Sequence, residues 1–229
     1  MALIFTRTGS GYFFNSPRTI YSFSPSTGTS SQNSIVIVLS SFYNSGSNGS
    51  SPFSSVTDSI GNTWFTSIHY LYDPSSANLG YAGILSYTNQ NVGKILSGTT
   101  ININYTTNCS YGNEIIYELS GNNGVPTFVS GTYNGGTTIT SSGLSTGDAI
   151  ICQCTTNGQN SISTWDSDIT NGSWSTGFEV IQGKATATQN KIVTNSGTQT
   201  WNITPSGLNT IVGYSIFSEK SLNKSSNFF

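Results

Sequence analysis

"GTTININYT", residues 98–106, decides the fold. Ile101, Ile103 and Tyr105 alternate with Asn102, Asn104 and Thr106, and this period of two puts an apolar ribbon on one side of a strand and amides on the other. Such a strand lays one face on a core and leaves the other wet. "SIVIVL", 34–39, is apolar at almost every position and belongs inside a sheet. No sustained helical spacing occurs, while short β-branched or aromatic runs bounded by Gly, Asn, Ser and Pro recur along the whole chain. Thirteen strands are expected, among them "ALIFTRT", "TIYSFSP", "NTWFTSIHYLY", "EIIYELSG", "DAIICQCT" and "SWSTGFEVI". The fold class that follows is all-β, an antiparallel β-sandwich or jelly roll.

Composition narrows the function. Of 229 residues, 40 are Ser, 31 Thr, 24 Asn and 25 Gly. Charged residues make up 7%, against about 25% in ordinary soluble domains. Aromatics at 12% and repeated Ile/Val runs exclude a disordered chain. Seven Lys and Arg scattered singly, at a net charge of −2, give no footprint for phosphates, so nucleic acid is not an expected partner. Low charge removes self-repulsion and suits a subunit of an assembly. The apolar run in "MALIFTRTGSGYFF" is too short for a secretory core or a membrane span, so the product is expected to stay in the cell that makes it until released. Cys109, Cys152 and Cys154 are expected to be buried, reduced thiols, with Cys152 and Cys154 on one strand face.

The chain reads as two related halves, 34–121 and 131–218, within a sandwich over 34–218. Ile35 matches Ile150, Trp64 matches Trp174, Gly98 matches Gly197 and Ile115 matches Ile211. Tandem small sandwiches joined over 121–131 are the alternative organisation. Residues 1–33 form either an N-terminal arm or the first strands, and 219–229 form a tail. In the arm reading, Tyr12, Phe13, Phe14, Tyr21 and Phe23 are the candidate assembly contacts, by strand addition to a neighbour.

"SSVTDSIGNTWFT", 54–66, reads as a hairpin in which Asp58 caps backbone N–H groups, Gly61 takes a positive φ and Trp64 starts the returning strand. Its echo "NGSW", 171–174, keeps the turn residues and the tryptophan. On this reading Asp58 has no counterpart there, which argues against a ligand role for it.

Catalysis finds little support. His69 is the single histidine, and no Gly-x-Ser-x-Gly elbow accompanies it. Glu114 and Glu118 lie four apart on one strand, roughly 13 Å at the normal rise. Glycoside hydrolysis needs carboxylates about 5 to 9.5 Å apart. Asp166 and Asp168 lack a third acid, so a sandwich-fold glycanase is the weakest reading. No catalytic residue, cofactor or metal site is expected. A sugar site needs only aromatic platforms with neighbouring hydroxyls and amides. Trp64, Tyr70 and Tyr72 share one strand face, and Trp165 and Trp174 border "DSDITNGS", so these five are the candidate glycan platform.

The succession "VIVLSS", "VTDSIGNTW", "GTTININYT", "EIIYELSG", "GLSTGDAIICQCTTNG" and "GTQTWNITPSGLNTIVGYSIFSE" resembles a group of β-sandwich proteins of tailed-phage structural modules and bacterial surfaces. The resemblance covers about residues 34–218. It implies a non-enzymatic virion component assembled in the host cytoplasm: a capsid decoration, head-fibre, tail or adhesin subunit. The implied partners are other virion proteins, further copies of itself and a cell-surface glycan, with no membrane.

Overall fold

The computed structural model describes residues 3–25, 34–44, 53–72, 79–88, 98–121, 126–156, 158–182, 184–207 and 210–219. Its strands are β1 (Ile4–Phe23), β2 (Ser34–Asn44), β3 (Phe53–Asp58), β4 (Trp64–Tyr72), β5 (Leu79–Thr88), β6 (Ile101–Ser120), β7 (Pro126–Gly135) and β8 (Thr138–Leu144). They continue with β9 (Ala149–Thr156), β10 (Ile162–Thr164), β11 (Phe178–Gln182), β12 (Lys184–Ile192), β13 (Gly197–Asn202), β14 (Thr204–Pro205) and β15 (Thr210–Glu219). The protein is all-β, and every described strand pairing is antiparallel.

The alternation in "ININYT" survives intact: Ile101, Ile103 and Tyr105 are buried, while Asn102 and Asn104 are half-buried and Thr106 is exposed. Beyond it the same strand continues into a place where both faces are covered, and 112–117 are all buried. The expected strands "TTININYT" and "EIIYELSG" are thus one strand of 20 residues, β6. "ALIFTRT" and "TIYSFSP" likewise merge into β1, which runs beside β6 from Ile4↔Ser120 to Phe23↔Ile101, with register shifts on both sides of Arg18. Residues 4–23 are therefore strand and not a free arm. "SWSTGFEVI" shortens to β11, with Trp174 making a single bridge to Lys191. β7 and β10 were not expected as strands; β7 occupies most of the supposed 121–131 link. "PTFVSGTYNG" is too rich in Ser, Gly and Pro to stand out by pattern, and "IST" is too short.

Two large sheets face each other. The first has the order β1-β6-β2-β5-β4, with β3 added along the start of β6; the second has the order β7-β15-β9-β12-β11. β11 lies over β1 and β6, β12 over β6 and β2, β9 and β15 over β5, and β7 over β4. Leu3, Ile115, Tyr117 and Leu119 from the first sheet interlock with Ala149, Ile151, Ile211 and Phe217 from the second. The Tyr117 hydroxyl meets Thr188 Oγ1 at 2.6 Å across this interface, so these two polar groups are partnered between sheets.

The outer face of the second sheet is also covered. The pairs β8–β13 and β10–β14 bring Ile139, Leu144, Ile162, Trp201 and Ile203 down on Ile150, Cys152, Cys154, Ala187, Val212 and Ile216. β9 is consequently buried at all eight positions. Cys109, Cys152 and Cys154 are free and buried, and burial pushes the Cys154 thiol up to about 12.

The order of connection is the same in both sheets when each is followed from its first strand. Ile35 stands opposite Glu118 and Ile150 opposite Ile216; Trp64 stands opposite Thr88 and Trp174 opposite Lys191. Gly98 and Gly197 both have positive φ, at 95° and 142°. A bulge after Gly197 then shifts the register by one residue, so that Trp201, not Thr200, is the buried member of its strand. Asn102 accepts a hydrogen bond from Ser22 Oγ, and Asn202 accepts one from Thr138 Oγ1, at matching points of their pairs.

Tyr21 is turned inward, with its hydroxyl donating to Glu114 Oε1 at 2.8 Å inside the cluster of Ile101, Ile103, Phe53 and Val56. Phe23 packs against the same cluster, with its ring centroid 5.7 Å from that of Tyr21. These two candidate assembly contacts are core residues, because the β1–β6 pairing directs their face to the interior. Tyr12 is exposed, and the side chains of Phe13 and Phe14 lie outside the described residues.

Burial pushes the Glu114 carboxyl up to about 8, against the opposing hydrogen bond from Tyr21. The fold therefore favours the protonated acid. Its contribution is complete below the ordinary value of 4.5 and is lost as pH rises through about 8. Denaturant titrations between pH 4 and 9 should show stability falling across that window, and Glu114→Gln should flatten the slope.

Candidate functional site

Asp58 is a turn organiser. Its Oδ1 accepts the backbone N–H groups of Ile60 (3.0 Å) and Asn62 (3.1 Å), and its Oδ2 accepts Asn62 Nδ2 (2.7 Å) and Trp64 Nε1 (2.9 Å). Burial raises its pKa, but the bonds from Asn62, Trp64 and Ile60 outweigh that and hold the carboxyl below its ordinary value. Gly61 has φ 81°, as the turn requires. The expected hairpin is not formed, because β3 pairs with β6 while β4 pairs with β5; the turn is an arch between two pairings. Trp64 is half-buried against the core with its indole N–H already engaged, so it is no open platform.

The same turn occurs a second time, and its acid is Asp168. It precedes Trp174 by six residues, as Asp58 precedes Trp64. Asp168 Oδ1 accepts the N–H two residues on, Thr170 N at 2.9 Å, and the residue at the position of Gly61 is Asn171, with φ 58°. The expectation that the echo lacks the acid is thus incorrect. Matching "NGSW" alone hid the shared spacing, because Gly and Asn exchange places within it.

From this point the two turns differ. Asp168 Oδ2 accepts Gln199 Nε2 (3.2 Å), and the buried Trp174 Nε1 has no hydrogen-bond partner among the described residues. Backbone and side-chain bonds from Thr170, then the bond from Gln199, hold the exposed Asp168 carboxyl down at about 2. The preceding Asp166 accepts Asp168 N at its Oδ1 (2.8 Å) and Asn202 N at its Oδ2 (2.7 Å).

Two residues of β12 that share one face hold this loop from beneath. Gln189 donates to Asp166 O (3.1 Å) and Ser175 O (3.0 Å), and its Oε1 accepts Asp166 N (3.2 Å) and Trp201 Nε1 (2.8 Å). Lys191, 1% exposed, donates to Asp168 O (3.1 Å), Thr170 O (2.9 Å) and Gln199 Oε1 (3.1 Å), and its ammonium lies 4.7 Å from the centre of the Trp174 ring. Burial lowers the lysine pKa, and Asp168 and Asp166 oppose that shift. The ammonium is an internal cation in a cage of oxygens, each a partner it would otherwise take from water.

Above these supports the surface opens into adjoining clefts. One, of about 480 Å³, is lined by Thr164, Trp165, Asp166, Asp168, Thr200 and Asn202. The next, of about 380 Å³, lies between Trp165 and Trp174 and includes Ser173, Ser175 and Gln189. Trp165 belongs to both. A Cβ on Gly177 would overlap the six-membered ring of Trp165, so the indole is seated directly on the glycine backbone. A third cleft of about 310 Å³ shares Ser175, Thr176 and Gly177 with the second and continues to Arg7 and Phe178.

Of the five candidate platform residues, the structure therefore brings Trp165 and Trp174 to one site and leaves Trp64 elsewhere. The side chains of Tyr70, Tyr72 and His69 lie outside the described residues. Glu114 is buried under Tyr21, and Asp166 and Asp168 spend their oxygens on holding the loop. Gln189, Lys191 and Gln199 were not anticipated. For Gln189 and Lys191 the signal was polar side chains on the inward face of a strand, in step with Ala185 and Ala187. No family model matches the chain, and no curated protein matches it.

Lys191→Met should destabilise the protein by roughly 2 kcal/mol or more, because three oxygens lose a charged donor. Thermal unfolding would report the loss. The Asp168 shift contributes stability that is present above about 3.8 and is lost as pH falls through about 2. Tryptophan fluorescence should report loosening of the loop in that range, with Asp168→Asn removing the transition.

Proposed function

We propose that the protein is a non-enzymatic carbohydrate-binding β-sandwich module whose site is the groove around Trp165 and Trp174. The observation that carries this reading is Trp165, seated on Gly177 and walling two clefts at once. A sugar ring offers an apolar C–H face and a rim of hydroxyls. An indole flanked by carboxylate, hydroxyl and amide groups matches both. The support by Gln189 and Lys191 suits binding to a preformed site, which avoids ordering costs. The two sheets read as repeats of one unit, in which the first keeps its turn closed by the Trp64–Asp58 bond while the second has opened into a groove.

Glycan-array screening of the intact chain should find saccharide ligands. Trp165→Ala should weaken them by at least about ten-fold while the β-sheet circular dichroism is retained, as expected for a central aromatic anchor. An array silent for the wild-type chain sinks the reading.

A second reading is favoured by β1. It ends the first sheet as a 20-residue edge strand and exposes Ile4, Tyr12 and Ile20. An edge of that length offers main-chain hydrogen bonds to a neighbouring subunit. Together with the low charge and the resemblance to phage structural proteins, it supports a place for the module in a virion, as a decoration, head-fibre, tail or host-recognition component. Immunodetection across a particle gradient should then find the protein with assembled virions. Recovery solely as free monomer argues against that placement.

A further inference from the structure

We propose that the ligand of this groove is an acidic glycan whose carboxylate is bound by Arg7, a reading that rests on the carbohydrate-binding proposal and specifies its ligand. The three clefts follow one another along 164–178, the first two sharing Trp165 and the second and third sharing 175–177. The line has a polarity. At one end stands Asp168, with Asp166 between the first cleft and the second. At the other stands Arg7, and no carboxylate lines that cleft among the described residues.

Arg7 is held in a way that presents its donors. Its guanidinium carbon lies 3.4 Å from the centre of the Phe178 ring. Stacking occupies a face of the planar group and leaves its in-plane N–H fork available, the geometry that receives a carboxylate through two parallel hydrogen bonds. Arg7 is exposed and makes no ion pair with a carboxylate among the described residues. The two members of this stack come from different sheets, since Arg7 is on β1 and Phe178 on β11. Phe5, two residues before Arg7, anchors that part of β1 edge-on against Tyr117 (6.0 Å) and Phe217 (6.4 Å). Asn190 lines the same cleft with its amide.

A sugar bearing a carboxylate, such as a uronic or sialic acid, can place that group on Arg7 and its apolar or neutral part toward the tryptophans. The reverse orientation would set the carboxylate against Asp166 and Asp168. The charge distribution thus selects both the class of sugar and its direction in the groove.

The test is calorimetric binding of the intact chain at low salt to matched probes, each acid against its own methyl ester: sialyllactose, trigalacturonate and a hyaluronan tetrasaccharide. For at least one pair the acid should bind about ten-fold tighter than the ester, the scale of a charge-assisted contact. Arg7→Gln should level the two, Arg7→Lys should keep part of the preference because it retains the charge without the fork, and Trp165→Ala should weaken both members. Circular dichroism of the Arg7 variants should match the wild type, since the side chain is at the surface. Esters that bind as tightly as acids in every pair, or a preference that survives Arg7→Gln, overturn the acidic-ligand inference and leave the carbohydrate reading standing. Failure of every acid and ester to bind removes both.

Discussion

The structure depends on a sheet that is covered on both faces. The strands β9, β12 and β15 lie between the first sheet and the small pairs β8–β13 and β10–β14, and solvent reaches little of them. Any polar side chain on such a strand must find partners inside the protein, because leaving a buried amide or ammonium unpaired costs a substantial part of a domain's stability. Thr188 meets that demand on one face by bonding Tyr117. Gln189 and Lys191 meet it on the other by drawing the carbonyls of 166–175 down onto themselves.

The loop is therefore shaped from below. With Asp168 engaged by Thr170 and Gln199, the second turn cannot close on its tryptophan as the first does through Asp58 and Trp64. What results is a groove with rigid walls. Its order comes from a buried lysine and glutamine, while its open surface carries Trp165, Thr200, Asn202 and the acid oxygens. A site held by a packed strand loses little freedom when it binds.

Low charge in the chain as a whole gives weight to each charge that remains. Lys191 is consumed in structure, whereas Arg7, stacked on Phe178 at the seam of the two sheets, is not. The seam aligns them with the tryptophans because β1 lies over β11, whose start follows directly from the loop. Function here is proposed from that alignment; the edge of β1 supplies a separate surface through which the module could be built into an assembly.

By itself the sequence determined the class of fold. The alternation of Ile101, Ile103 and Tyr105 and the doubly apolar run at Ile35 depend only on the period of a strand, which any local window displays. It also disclosed the turn chemistry of Asp58 and Gly61 and the free cysteines. Tertiary structure decided what local pattern cannot encode. β7 and β10 became strands through pairing with distant partners, β1 and β6 became single long strands, Tyr21 was drawn into the core and Phe23 was packed against it. It also separated the four tryptophans, because partners distant in sequence decide which indole is enclosed: Asp58 takes the N–H of Trp64 and Gln189 that of Trp201, while Trp165 and Trp174 border a cleft above the buried Gln189 and Lys191.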